Sequence, residues 1–148
     1  MSEIDSELEL ALNFLDINQE QSIERLFDIL RIPSISTQKK HKKDCLKAAH
    51  WFVEQLSEIG FESSIRETNG HPMVVAHFET EGPHFLFYGH YDVQPADPYE
   101  LWDSDPFEPI VKKTTIHPKG AIFARGACDD KGQMYMHVKA FEAQKPQF

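Results

Sequence analysis

The first part of the chain carries apolar residues at helical spacing. Within residues 19–31 they occupy every third or fourth position: Ile23, Leu26, Phe27 and Leu30. That spacing places them on one face of a helix. We predict helix over residues 3–31 with a break near Asn18, where Asn18 and Gln21 resemble a capping box. Pro33 ends the helical pattern, and a loop follows it.

A second helix is predicted over residues 43–59. Its apolar stripe comprises Cys45, Ala48, Ala49, Phe52, Leu56 and Ile59. Gly60 suits the position just after a helix, where a left-handed backbone is common. The basic cluster at 39–43 precedes this helix, and we interpret it as a solvated face.

From residue 61 onward the pattern changes to short apolar runs typical of strands. We predict strands over residues 61–67 and 73–78, and a turn over 80–83. The run at 84–90 is apolar enough to be a third, central strand of a sheet.

The remaining residues alternate between loop, strand and helix. Residues 94–109 are rich in proline and acids, which predicts an ordered loop. Short strands are predicted at 110–115 and 121–124. A last helix opens at Asp129 or Asp130, and its apolar face holds Met134, Val138 and Phe141. Helices before and between strands indicate one layered α/β domain over the whole chain, with no linker.

His90 and Asp92 follow the apolar run at 84–90 and are the first candidate site residues. Side chains two positions apart in a strand point to the same side, so the imidazole and the carboxylate should lie together. An acid beside a histidine in this way orients a metal-binding imidazole. Taken alone, such a pair is more often a structural hydrogen-bonded pair than a functional one.

Asp129 lies in the second candidate stretch, residues 124–133. Gly126 permits a tight turn before the predicted last helix, so Asp129 falls at a helix N-terminus, where an anionic carboxylate is stabilised. A rigidly held carboxylate can bridge the two cations of a hydrolytic pair. Taken alone, Asp129 is a plain N-cap residue.

Composition narrows the function classes. The 148 residues carry a formal charge of −9, with 41% hydrophobic and 26% charged residues, which indicates a soluble globular protein. A net acidic chain argues against a nucleic-acid partner. The acidic N-terminus does not resemble a signal peptide, and no apolar run is long enough for a membrane span. Cys45 and Cys128 fit no metal or redox spacing, so we expect reduced thiols and a cytoplasmic location.

Other candidate residues have simpler interpretations. The remaining histidines should be structural or exposed, because a metal site needs several converging groups. The acids between 97 and 105 do not have the spacing of a calcium loop. We expect Trp102 to pack within its loop.

Three motifs in this order closely resemble one family of di-zinc metallopeptidases and deacylases. They are His-Tyr-Asp-Val-Gln-Pro at 90–95, Trp102 with Pro-Phe-Glu-Pro at 106–109, and Arg-Gly-Ala-Cys-Asp-Asp-Lys-Gly-Gln at 125–133. The family includes carnosinase-like dipeptidases, acetylornithine deacetylase, succinyl-diaminopimelate desuccinylase and aminoacylase. The tryptophan loop and the Asp-Asp-Lys-Gly-Gln string look most like the dipeptidase branch. The resemblance covers nearly the whole chain, including residues 30–36.

The resemblance implies an α/β/α zinc-peptidase-like catalytic domain and assigns roles to three residues. His90 would bind one zinc, and Asp129 would bridge two. Asp92, the catalytic aspartate of such proteins, would orient the imidazole of His90. Zn²⁺, two per complete site, is the implied cofactor, with Co²⁺ or Mn²⁺ as substitutes. Substrates would be short peptides or N-acyl amino acids.

Relatives of this kind also carry a Glu-Glu pair, a further acid, a late histidine and an inserted dimerisation domain, none of which is found in residues 1–148. We therefore expect the chain to represent the N-terminal part of such a catalytic domain. With two of five metal-binding side chains, we expect no activity from it alone. The alternative is a non-catalytic remnant that associates with itself or with a partner.

Overall fold

Four α-helices and two small sheets make up the computed structural model, which describes residues 3–145. The helices are α1 (Glu3–Ile17), α2 (Gln19–Leu30), α3 (Lys42–Glu58) and α4 (Lys131–Gln144). Single 3-10 turns precede α3 and lie within the proline-rich loop, at Lys39–His41 and Tyr99–Leu101. The predicted helices, including the break near Asn18, are confirmed.

The predicted capping box at the start of α2 is wrong. The Asn18 side chain makes no capping hydrogen bond. Its amide instead donates to the carbonyl oxygen of Phe14, at 2.8 Å. Because α1 continues to Ile17, the last free carbonyls of that helix lie within reach of Asn18 and take its amide group.

The strands form two antiparallel pairs. Strand β1 (Glu62–Arg66) pairs with β2 (Met73–His77), and β3 (Ile110–Lys112) pairs with β4 (Ala121–Phe123). These four elements confirm the predicted strands, which were one to three residues longer. A single parallel bridge joins Ile35 to Val93, and the two loops that carry them thereby lie side by side.

The core lies between α2, α3 and α4. It comprises Ile29, Ile32, Ala48, Phe52, Ile59, Tyr135 and Val138. Helix α3 buries Cys45, Ala48, Ala49 and Phe52 of its predicted apolar stripe, while Leu56 is half-buried and Ile59 is buried just after the helix. Helix α3 also packs against β1 and β2, and α4 packs against α1 and α2. Gly60 follows α3 with φ of +100°, a conformation that favours glycine. Helices packed with strands in this way confirm the α/β class.

The predicted third strand, over residues 84–90, is wrong. These residues belong to no strand, and Phe85, Leu86 and Tyr88 are 80%, 97% and 85% exposed. We call residues 84–89 the apolar segment. A run of apolar side chains predicts burial, but a strand also needs a neighbour for its N–H and C=O groups. Within residues 3–145 no strand pairs with the apolar segment.

A cavity of about 710 Å³ lies beneath the apolar segment. It is bounded by the segment, by β2, and by side chains of α3 and α4 such as Phe52 and Met134. Phe87 contacts α4, with its ring 5.1 Å from those of His137 and Phe141. In the part of the chain that the structure describes, no helix is both long and apolar enough to cross a bilayer.

Candidate metal centre

The imidazole of His90 lies between two carboxylates. Its Nε2 atom is 3.0 Å from Oδ1 of Asp129, and its Nδ1 atom is 3.2 Å from Oδ1 of Asp92. Nδ1 also lies 3.1 Å from the carbonyl oxygen of Asp92. The structure thus brings together the three side chains that the sequence singled out. The residues before His90 do not form a strand, so the contact between His90 and Asp92 does not depend on the predicted strand. It follows from their separation of two residues in the chain.

The turn that carries Asp129 is built on two glycines. Gly126 has φ of +86°, and a Cβ there would lie 2.9 Å from the Val93 side chain. A Cβ on Gly132 would lie 2.0 Å from the carbonyl oxygen of Ala127. The N–H of Gly132 donates to the carbonyl of Gly126 across the turn, at 3.2 Å. Larger residues would open this turn, so the glycines determine where Asp129 lies.

Asp129 lies just before the N-terminus of helix α4 and not, as predicted, at the N-terminus itself. Lys131 is its first residue, and Asp130 is its N-cap. Asp129 precedes the cap, its side chain is 74% exposed, and its carboxylate faces His90. The interpretation of Asp129 as a plain N-cap is therefore wrong, and a contact with the imidazole takes the place of the predicted contact with the helix end.

Two neighbours of Asp129 were missed as contributors to the site. The carboxylate of Asp130 accepts a hydrogen bond from the backbone N–H of His90, at 3.0 Å. The ammonium of Lys131 is fully buried and donates to the carbonyls of Ile29 and Ile32, at 3.0 and 2.5 Å. Burial lowers the pKa of Lys131 to about 7. Lysine is almost never fully buried, so nothing in the sequence indicated that Lys131 attaches the turn to the loop after α2.

The acids around His90 also change its proton affinity. Burial acts to lower the pKa of His90, but the hydrogen bond to the Asp92 carbonyl, the Asp92 charge and the contact with Asp129 outweigh it. The pKa of His90 is therefore raised above its usual value. Three carboxylates near one imidazole create a negative potential that favours a cation.

The geometry at His90 and Asp129 suits two ligands of one zinc ion. Imidazole nitrogen and carboxylate oxygen are both zinc ligands, and on one tetrahedral ion they would lie about 3.3 Å apart. The observed 3.0 Å needs only a small opening to reach that distance. Among residues 3–145 no group of three or more His, Cys, Asp or Glu side chains could hold a metal. These residues therefore supply two donors, and a complete site needs more.

Trp102, two of the other histidines and the two cysteines have the structural environments predicted for them. The Trp102 indole donates to the carbonyl of Ala96 at 2.9 Å, and the Arg125 guanidinium lies 5.2 Å from its ring centre. The predicted packing of Trp102 within its loop is thus confirmed. His41 is 2.6 Å from Asp44, and His71 bonds a backbone carbonyl, so both have structural partners. Cys45 is buried, Cys128 is exposed, and both are free thiols.

Comparisons with known proteins identify the family that this chain resembles. The model of the peptidase family M20/M25/M40 matches residues 86–148. The Cys-Gly metallodipeptidase Dug1 of Schizosaccharomyces pombe is 28% identical over 93% of this chain and 30% of its own length. The succinyl-diaminopimelate desuccinylase of Bordetella avium is 35% identical over 78% of this chain and 27% of its own length.

A solved structure shares the arrangement of the backbone. The dipeptidase Dug1p of Saccharomyces cerevisiae superimposes with a TM-score of 0.79 at 27% identity, over 92% of this chain and 30% of that one. The chain therefore spans roughly a third or less of the length of the proteins it matches.

Proposed function

Because the chain belongs to the peptidase family M20/M25/M40, as its motifs predicted, we propose that residues 1–148 form the N-terminal part of the catalytic domain of a zinc-dependent dipeptidase or amidohydrolase. The observation that carries this proposal is the 3.0 Å approach of His90 Nε2 to Asp129 Oδ1, with Asp92 on the other imidazole nitrogen. Relatives named as a Cys-Gly metallodipeptidase and a succinyl-diaminopimelate desuccinylase support short peptides or N-acyl amino acids as substrates.

His90 and Asp129 are the residues of this chain that would hold zinc, with Asp129 bridging two ions. With zinc bound, Asp92 would accept the Nδ1–H of His90, which would leave the Nε2 lone pair free to bind the ion and would make the imidazole a stronger donor. Bound zinc would supply a water deprotonated near neutral pH and polarise the amide carbonyl. Zinc as the preferred ion, ahead of cobalt or manganese, and the cytoplasmic location both stay predictions.

Two donors do not complete a zinc site, since zinc in proteins is held by three or four protein ligands. We therefore expect the 148-residue chain to hydrolyse neither Cys-Gly nor an N-succinyl amino acid above background with zinc, cobalt or manganese added. Turnover that His90→Ala abolishes would contradict the expected inactivity while supporting the proposed chemistry.

Zinc binding itself is tested by NMR titration of the pure chain. We expect the largest shift changes at His90, Asp92 and Asp129, and their loss in His90→Ala. His117→Ala, at an exposed histidine in the loop between β3 and β4, serves as the matched control. Zinc-induced changes that avoid residues 90 and 129, or that survive His90→Ala, would contradict the proposed site.

The second candidate function is a non-catalytic, self-associating module, and the exposed apolar segment favours it. Light scattering should then give a mass above the monomer that increases with concentration, and Leu86→Lys should reduce it to the monomer. Leu101→Lys, at another exposed leucine (77%), is the control. A monomer at every concentration would rule out this candidate.

A further inference from the structure

We propose that Asp130 is a positioning residue, which ties the main chain of His90 to the turn that carries Asp129 and so sets the spacing of the two metal donors. This inference rests on the proposed metal-binding function. Its central contact is the 3.0 Å hydrogen bond from the His90 N–H to the Asp130 carboxylate.

The close approach of Gly89 shows that this contact is built into the packing. A Cβ on Gly89 would lie 2.7 Å from Oδ2 of Asp130 and 1.8 Å from the Met134 sulfur. Any larger residue at position 89 would have to push aside the side chains of Met134 and Asp130 at the start of α4. The glycine thus lets the backbone of His90 come within hydrogen-bonding distance of Asp130.

The carboxylate of Asp130 is not used to cap its own helix. An N-cap aspartate normally accepts a hydrogen bond from the second or third N–H of its helix, yet Asp130 makes no side-chain cap bond. Its acceptor is directed to residue 90, 40 positions earlier in the chain. Serine would cap a helix equally well but is too short to span this distance, so capping does not require an aspartate here.

The turn is held firmly on its other side. Lys131, the next residue, is tied to the carbonyls of Ile29 and Ile32, and Gly132 is bonded to Gly126. Asp130 therefore extends from a part of the chain that is already anchored to the core. A hydrogen bond to such an anchor fixes the position of whatever donates to it.

His90, by contrast, lies at the edge of a less supported stretch. After it, Ser34 bonds the carbonyl of Tyr91 and the N–H of Val93. Before it, the apolar segment is exposed and pairs with no strand among the described residues. The hydrogen bond to Asp130 thus lies at the boundary between the exposed apolar segment and the supported residues after His90. It holds the backbone of the proposed metal-binding histidine at that boundary.

The test compares Asp130→Ser and Asp130→Asn in the 148-residue chain, with Asp103→Ser as the control. Serine is a favourable N-cap residue but is too short to reach the His90 N–H, whereas asparagine keeps an acceptor at the same distance along its side chain. Asp103 lies in the proline-rich loop, and its side chain is 88% exposed. The readouts are amide hydrogen exchange at His90 and the zinc dissociation constant.

We expect Asp130→Ser to accelerate exchange of the His90 amide about tenfold or more and to weaken zinc binding about 10- to 100-fold. Asp130→Asn should restore most of both, and Asp103→Ser should change neither. Slow His90 exchange and unchanged zinc affinity in Asp130→Ser would overturn the inference. A purely structural role would instead accelerate exchange throughout α4 and give no rescue by asparagine.

Two further results keep the outcomes separate. If the unchanged chain binds no zinc, the proposed function fails, and hydrogen exchange at His90 still decides the role of Asp130. If Asp130→Ser does not fold, a through-bond NMR coupling between the His90 amide nitrogen and the Asp130 carboxylate carbon in the unchanged chain decides it. Presence of that coupling supports the contact, and its absence overturns the inference.

Discussion

The packed region around α2, α3 and α4 and the apolar segment have similar residue types but opposite environments. Ile29, Leu30 and Ala48 are fully buried, whereas Leu86 in the apolar segment is 97% exposed. Even a lysine, Lys131, is fully buried in the packed region because two carbonyls receive its ammonium. Burial here follows from available partners more than from side-chain hydrophobicity.

The candidate site takes one of its two metal donors from each region. Asp129 extends from a turn fixed to the packed region, and His90 comes directly after the apolar segment. The geometry of the candidate metal centre therefore depends on how firmly His90 is attached to that turn. Asp130 and Gly89 are the residues that make this attachment possible.

The largest expected effect comes from replacing a leucine by alanine in the packed region, compared with the same replacement in the apolar segment. Leu30→Ala removes a fully buried side chain and should lower the free energy of unfolding by about 2–5 kcal/mol. Leu86→Ala removes an exposed one and should change it by less than about 0.5 kcal/mol. Urea unfolding followed by circular dichroism measures both. Equal losses would mean that the apolar segment is buried in solution.

The turn before α4 gives a smaller effect. Gly132→Ala forces a methyl group against the backbone carbonyl of Ala127, 2.0 Å away, and should cost about 1–3 kcal/mol. Gly70→Ala is the control, because its nearest atom, on Thr68, is 3.8 Å away. If Gly132→Ala were as mild as Gly70→Ala, the turn would not be tightly packed.

The smallest expected effect is a pH dependence at Cys45. Burial, with the charges of Asp92 and Asp44, raises the pKa of this thiol to about 11. The folded state then holds the proton more tightly than the unfolded chain, so the thiol's contribution is fully present below about pH 9 and is lost as the pH rises toward 11. By pH 10 the loss should reach about 1.4 kcal/mol.

Unfolding in urea at pH 8 and pH 10 measures this dependence. Lys131, whose pKa is lowered to about 7, changes stability in the opposite direction over the same range, so the Cys45 contribution is read as a difference between variants. On going from pH 8 to pH 10, the parent chain should lose about 1.4 kcal/mol relative to Cys45→Ala, whereas Cys128→Ala, at the exposed cysteine beside the candidate site, should behave as the parent does. The same pH dependence in both variants would show that Cys45 is not its source.

The elements that the sequence predicted well are those whose determinants are local. The stripe of α3 and the glycine at 60 give both the helix and its end, and the turn pattern at 80–83 separates β2 from the apolar segment. The apolar run at 84–90 failed because a strand depends on a neighbour elsewhere in the chain, which hydrophobicity does not specify. The capping box at Asn18 failed because the preceding helix offered a competing carbonyl.

The candidate site divides in the same way. The motifs around His90 and Asp129 predicted that the two donors meet, since their residue types and order match one family. The roles of Asp130 and Lys131 depend on tertiary contacts with His90 and with the loop after α2. No periodicity or composition reports such contacts.

A double-mutant cycle on zinc affinity tests the central claim most directly, because it asks whether His90 and Asp129 hold the same ion. We predict that His90→Ala and Asp129→Ala each weaken binding at least about tenfold. The double variant should be hardly weaker than either single one, because the loss of one donor removes the interaction of the other. Fully additive losses, or affinity unchanged in either single variant, would contradict the account.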